Sequence, residues 1–409
     1  MNNIRRALSI RRRQPSSPST AVYDYRVQPV SSIHSASSTI HMNQSVPTIA
    51  YESIKHEIDV PERLVDLSSL QDILIRHIAT IYLEHYIEDQ DLQRNLIVLL
   101  EAKKASSLWG KLKSHIRVGT YKHLLYADAV ATTERKFGVP LAALAASPIR
   151  QDNDFPAPIC LEARDDHASF LLAMLLSRNA SVPLFVRNCI LALMQKDVSV
   201  EGIFRKNGNI REQKQMCETI DQQACDVDYY SKETPIQLAA LLKRFLRQLP
   251  EPLLTFELYK AFMMAIRMKN EEDMKNMLYL TCCILPKPNR DVMQVVFLFL
   301  AWVASFHAKN KMDINNLARI IAPNVLYPAK DTRNTEHSVT TGDEIQVVAL
   351  LIKFQKEFCV IPFQFATLLQ DPKLLDPSSY HGPLAIKNYL RTYVKRHQQQ
   401  RPHHSSLLH

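Results

Sequence analysis

The chain has 409 residues, 46% of them hydrophobic, with a net charge of +9, only seven glycines and 22 prolines. That length and apolar content exclude a wholly disordered chain and suffice for one or two globular domains; so few glycine turns argue against sandwiches and doubly wound folds and for an all-α protein of helices with abrupt stops. Six arginines against Asp24 in residues 1–50 and six Lys or Arg against Asp376 in residues 372–409 put +5 at each end, which leaves −1 of the total for the middle and excludes a nucleic-acid footprint over the body.

Residues 1–55, rich in Ser, Arg, Thr and Pro without periodicity, are expected to form a disordered basic tail. Ser9 and Ser17 within it fit phosphorylation sites or ordinary tail serines. The start "MNNIRRALSIRRRQPSSP" has no secretory apolar stretch, and the longest apolar run, Val295 to Ala304, is about half of what a bilayer span needs. A soluble protein is expected. The seven cysteines (160, 189, 217, 225, 282, 283, 359) show no CxxC spacing and read as small core residues of a reducing compartment, with no metal site.

From residue 56 to 136 the pattern turns helical: "LQDILIRHIATIYLEHYI" and "LQRNLIVLLEAKKASSLWGKL" place apolar residues three and four apart, a helical extension with a mixed connection after residue 117. From 137 to 362 helices follow one another. "VPLFVRNCILALMQK" has Ser181 upstream as a cap candidate and Pro183 near its first turn; "TPIQLAALLKRFLRQLPEPLL" has a Thr234 cap, Pro235 at the first turn and a stop at Pro250. "REQKQMCETIDQQ", "FELYKAFMMAIR", "EEDMKNMLYLTCCIL", "RDVMQVVFLFLAWVASFHA", "INNLARII" and "DEIQVVALLIKFQKEF" are further helices. The basic tail, 363–409, keeps one amphipathic candidate, "LAIKNYLRTYVKRH", a membrane-surface or partner helix or a solvated extension.

Self-contained chemistry is not signalled. No GxxxxGK[ST] loop is present (Ala105 stands where the first glycine before Gly110-Lys111 would be), nor HExxH, GxSxG or GxGxxG. Three stretches remain. In "VEGIFRKNGNI", Gly202 and Gly208 flank Arg205 and let the backbone bend and approach another surface, with Ile203 and Phe204 as an apolar anchor. Arg205 is then free to point outward or to pair with Glu201. Lys243 and Arg247, four apart in "LLKRFLRQLPEP", share a helix face and repel slightly unless an anion joins them; alone they also fit a solvated face. Asn316 and Asn324 in "NKMDINNLARIIAPNVL" sit where side-chain amides cap helix ends, Asn324 being the better placed to face a partner.

"VEGIFRKNG", "LLKRFLRQLPEPLL", "LPKPN" and "NKMDINNLARIIAPNVL" resemble, in order and spacing, the RhoGAP domain, the GTPase-activating module for Rho-family small GTPases, over roughly residues 137–362. The resemblance implies a RhoGAP-type helical bundle in which Arg205 is similar to the arginine finger. It implies that Lys243 and Arg247 match the basic pair that touches the finger loop and the GTPase switch regions, and that Asn324 matches an interface asparagine. Departures are "IAPN" (Ile321, Ala322) for the usual "FGPN" and Gln248 for the common glutamate before "LPEP". "LWGKL" followed by "KFGVPLAAL" resembles the entrance to the domain in fungal LIM-containing RhoGAPs, although the LIM zinc motifs are absent. The implied partner is a GTP-bound Rho-family GTPase, which brings the GTP and Mg²⁺, so that this chain needs no cofactor of its own. The implied place is the cytoplasm, with recruitment to the plasma membrane or sites of polarised growth open through the basic tails. A non-activating GTPase-binding module and a membrane scaffold are the alternatives.

Overall fold

In the computed structural model, residues 61–87, 89, 92, 93, 96, 100, 135–145, 166–329, 342–371 and 388–392 are described. The expected tail over 1–55, most of the second half of the 56–136 extension and most of the final amphipathic candidate lie outside them. The described residues are helical: a 3-10 turn at Leu64–Asp66, then α1 (Ser69–Leu83), α2 (Leu141–Ala145), α3 (Asp166–Leu175), α4 (Leu184–Met194), α5 (Ile210–Gln222), α6 (Val227–Ser231), α7 (Pro235–Gln248), α8 (Tyr259–Ala265), α9 (Glu271–Ile284), α10 (Lys287–Ser305), α11 (His307–Asn310), α12 (Ile314–Val325), α13 (Gly342–Lys353), α14 (Gln355–Phe358) and α15 (Phe363–Leu369). The one extended pairing among them is an isolated bridge between Arg63 and Val360. The fold is all-α.

The apolar run of the sequence becomes the axis of the core. In α10 every residue from Val292 to Leu300 is buried, as a helix that is hydrophobic all round must be, and α3, α4, α12, α13 and α14 pack against it. α7 shows how local signals set one spoke of this arrangement. Thr234 accepts a hydrogen bond from the Gln237 amide, Pro235 opens the first turn, and Leu238, Leu241, Leu242, Phe245 and Leu246 turn inward, which leaves Lys243 and Arg247 toward the other side. Phe245 joins Phe137 and Phe185 in an aromatic cluster with ring centroids 5.0 to 5.7 Å apart, each such pair adding about 0.5–1.5 kcal/mol to the area buried.

Two expectations need revision. Ser181 does not cap α4: Pro183 holds the N-cap position, and the Ser181 amide donates instead to Asp291 Oδ2 at 2.8 Å. A buried carboxylate in α10 needs donors more than a helix start already occupied by proline does. α12 does not stop at Ile321 but continues through Pro323 to Val325. Proline removes one donor and strains the preceding turn, and the buried Ile321, Ala322 and Val325 on the core side hold the helix together across it.

Candidate functional site

Arg205 lies in the turn between α4 and α5, and the backbone there is unusual twice over. Gly202 has φ of 76°, and Phe204, which is not a glycine, has φ of 66°. An aromatic residue in the left-handed region costs roughly 1–3 kcal/mol and persists only where its surroundings over-determine it. Here they do. The Phe204 ring is fully buried and edge-on to Phe299 of α10, centroids 6.2 Å apart. Its carbonyl accepts a hydrogen bond from Lys243 Nζ at 3.0 Å. The Gly202 amide donates to the Asn310 carbonyl at 2.8 Å, and the amides of Arg205 and Lys206 both donate to the Gly202 carbonyl, at 2.9 and 2.8 Å.

The two glycines shape this loop for different reasons. Gly202 supplies the positive φ; a Cβ there would also crowd the Lys206 side chain at 3.1 Å and Arg205 Nη2 at 3.3 Å. Gly208 has no such φ. Its missing side chain makes room for Gln237 of α7, whose Oε1 would lie 2.1 Å from a Cβ. The Gln237 amide then clamps Asn209, accepting from its amide at 2.8 Å and donating to its carbonyl at 3.2 Å. The close approach at Gly208 is therefore internal.

From this frame the Arg205 side chain emerges 58% exposed, with Nη2 3.5 Å from Glu201 Oε1, itself 61% exposed. The outward direction and the local acid pair thus occur together. An exposed pair of this kind is worth about 0–1 kcal/mol, so an incoming anion can exchange for Glu201 at small cost. The guanidinium borders an open depression of about 500 Å³ whose other lining residues include Glu201, Lys311, Met312, Asn316 and Arg319.

Lys243 and Arg247 share a face of α7 but are not equivalent. Lys243 is half-buried and committed to the Arg205 loop through Phe204; burial, and then the neighbouring Arg247, hold its ammonium below the usual lysine value. Arg247 is exposed in the last turn, where a cation also suits the helix C-terminus. Asn324 is only 4% exposed, and its amide donates to the Ile320 carbonyl at 2.8 Å, finishing α12 from within. Asn316 is the exposed asparagine that lines the depression beside Arg205, its own amide donating to the Lys311 carbonyl at 3.3 Å. Sequence reasoning also passed over Asn310. Fully buried, it receives Gly202 on its carbonyl, donates through Nδ2 to the carbonyls of Val198 and Val303, and accepts from the Met312 amide.

The family model for the RhoGAP domain matches residues 183–330, the span from α4 to α12 that contains the whole of this arrangement. The chain carries a RhoGAP domain. Rho-type GTPase-activating protein 1 of Schizosaccharomyces pombe is 37% identical over 325 residues, which are 77% of this chain and 25% of that protein. Rho-GTPase-activating protein LRG1 of Saccharomyces cerevisiae is 32% identical over 236 residues, 52% of this chain and 23% of that protein. The chain thus spans about a quarter of the length of these curated relatives. A crystal structure of human Rho GTPase activating protein 15 aligns over 59% of this chain and 99% of that one, at 21% identity and a TM-score of 0.42. Around the RhoGAP domain, the described helices α1 to α3 and α13 to α15 lie outside the matched residues and share its core.

Proposed function

We propose that this chain is a GTPase-activating protein for a Rho-family small GTPase in its GTP-bound state, switching off the signal by inserting Arg205 into the partner's nucleotide site. What supports the reading most is one combination: an exposed, loosely tethered guanidinium on a strained loop that is strapped to α7, α10 and α11 by Lys243, Phe299 and Asn310. Transfer of the γ-phosphoryl to water spreads charge over the equatorial and bridging oxygens, and a positioned cation there lowers the barrier. Guanidinium is planar, permanently charged and able to donate to two oxygens at once, which an ammonium cannot match. An arginine supplied in trans is worth about 10³ to 10⁵ in rate, roughly 4–7 kcal/mol. GTP and Mg²⁺ belong to the partner, and the chain works without a cofactor of its own.

In this reading Lys243 positions the loop and Arg247 offers charge to the GTPase surface. Asn324 sets the end of α12 and acts on the GTPase through the helix it finishes. The protein acts from the cytoplasm, with the basic tails bringing it to anionic membrane at the plasma membrane or at sites of polarised growth. Single-turnover phosphate release from GTP-loaded Rho-family GTPases tests the activity. Arg205→Ala is expected to bind the GTPase as the unaltered chain does and to lose at least 10³-fold of the stimulated rate. Full stimulation by that variant would remove Arg205 from the role.

A further inference from the structure

The depression beside Arg205 holds three cations, and two of them are engaged: Arg205 with Glu201 at 3.5 Å, and Lys311, whose Nζ donates to the Ala308 carbonyl at 2.7 Å. The third, Arg319 on α12, is exposed, and its guanidinium makes no hydrogen bond or ion pair among the described residues. It also lines a second depression, of about 420 Å³, between α12 and α13, whose lining includes the apolar Ile345, Ala349 and Leu350 and the cation Lys353. Arg319 is the residue the two depressions have in common.

We propose that Arg319 is a selectivity determinant for the GTPase. The partner presents an acidic side chain to Arg319, and an apolar side chain from the same element seats in the cleft between α12 and α13. This rests on the activating role proposed for Arg205 and extends it along the surface. Arg319 lines the same depression as Arg205 and also the one between α12 and α13, so a partner seated over Arg205 and extending along α12 reaches an unpaired guanidinium beside apolar wall. Glu201 is the one acidic residue that lines either depression, so the surface favours a carboxylate-bearing partner and rejects a basic one. Complementarity of this kind sets choice of partner and rate of encounter more than it sets chemistry.

The test uses the full chain against a panel of purified Rho-family GTPases, each loaded with a non-hydrolysable GTP analogue for binding and with GTP for phosphate release. Arg319→Glu is expected to raise the half-saturating concentration at least tenfold for the preferred GTPase, the loss falling there and not in the saturated rate. It is expected also to flatten the decline of affinity with salt. Ala349→Phe, which fills the cleft and leaves every charge in place, is expected to raise half-saturation without altering the salt dependence. Arg319→Glu titrating as the unaltered chain does against every member of the panel would overturn the proposal. The two readings fail separately. A chain that binds but never stimulates hydrolysis, while Arg319→Glu still loses binding, sinks the activating role and keeps the surface; stimulation lost in Arg205→Ala with Arg319→Glu unchanged does the reverse. No binding to any GTPase overturns both.

Discussion

Around Arg205 the residues divide by what they are tied to. Phe204 and Gly202 are fixed by the core, Lys243 by the Phe204 carbonyl, and Arg205 by one exposed carboxylate. The strain at Phe204 makes the neighbours that offset it important, and Asn310 is the most connected of them. Its side chain satisfies two carbonyls and one amide in a fully buried site. Leaving buried backbone groups unsatisfied costs about 1–3 kcal/mol each. Asn310→Ala is therefore expected to lower stability by at least about 2 kcal/mol in denaturant titration and to release the Arg205 loop. In phosphate release its saturated rate would fall further than its affinity for the GTP-analogue form, because the guanidinium is mispositioned and the rest of the surface survives. Equal falls in both would mean that the loop is held without it.

At the scale of elements, α1 is bound into the core by charge as well as by packing. It starts with a capping box in which Ser68 and Gln71 each receive the other's amide, and it lies against α9. Asp72 pairs with the fully buried Arg290 of α10, and Arg76 Nε donates to the Ile284 carbonyl at 3.0 Å. Burial works against the Asp72 charge, but Arg290 and Arg76 outweigh it and hold the carboxyl below its ordinary 3.8. Removing Asp72 takes the nearer carboxylate from a fully buried guanidinium and leaves it Asp291 Oδ1 at 3.8 Å; breaking a buried pair costs about 3–5 kcal/mol. Asp72→Asn should lose about that much at neutral pH. Because the folded pKa is depressed, the pair's contribution is full above 3.8 and lost as pH falls through the folded value. The gap between variant and unaltered chain should therefore narrow in acid, and a constant gap from pH 7 down to pH 2 would contradict the assignment. The helices themselves were legible where capping and periodicity agreed, as with Thr234 and Pro235 in α7. They were misread where a long-range partner decided: Ser181 serves Asp291, and α12 crosses Pro323 because its apolar face stays buried. The exposed loop that carries Arg205 was legible from glycine spacing. The φ of Phe204 and the hub at Asn310 could not, since both are fixed by residues about a hundred positions away, Phe299 at one end and Val198 at the other.

Across the whole molecule, the matched RhoGAP residues do not make up the core alone. α1, α13 and α15 contribute buried residues to the same cluster as α10, so the smallest piece that keeps Arg205 in place extends on both sides of residues 183–330. The body is close to neutral while both ends are basic, so the long-range field of the chain comes from its ends and the cations of the body act locally. The claim on which this depends is that Arg205 leaves Glu201 and enters another protein's nucleotide site. It is tested most directly by the structure of the full chain bound to a Rho-family GTPase carrying GDP and a planar fluoride mimic of the transferring phosphoryl group. The expected result is the Arg205 guanidinium within hydrogen-bond distance of the mimic, with Gly202 and Phe204 still at positive φ. An Arg205 side chain that stays paired with Glu201 while the mimic is bound would contradict the account.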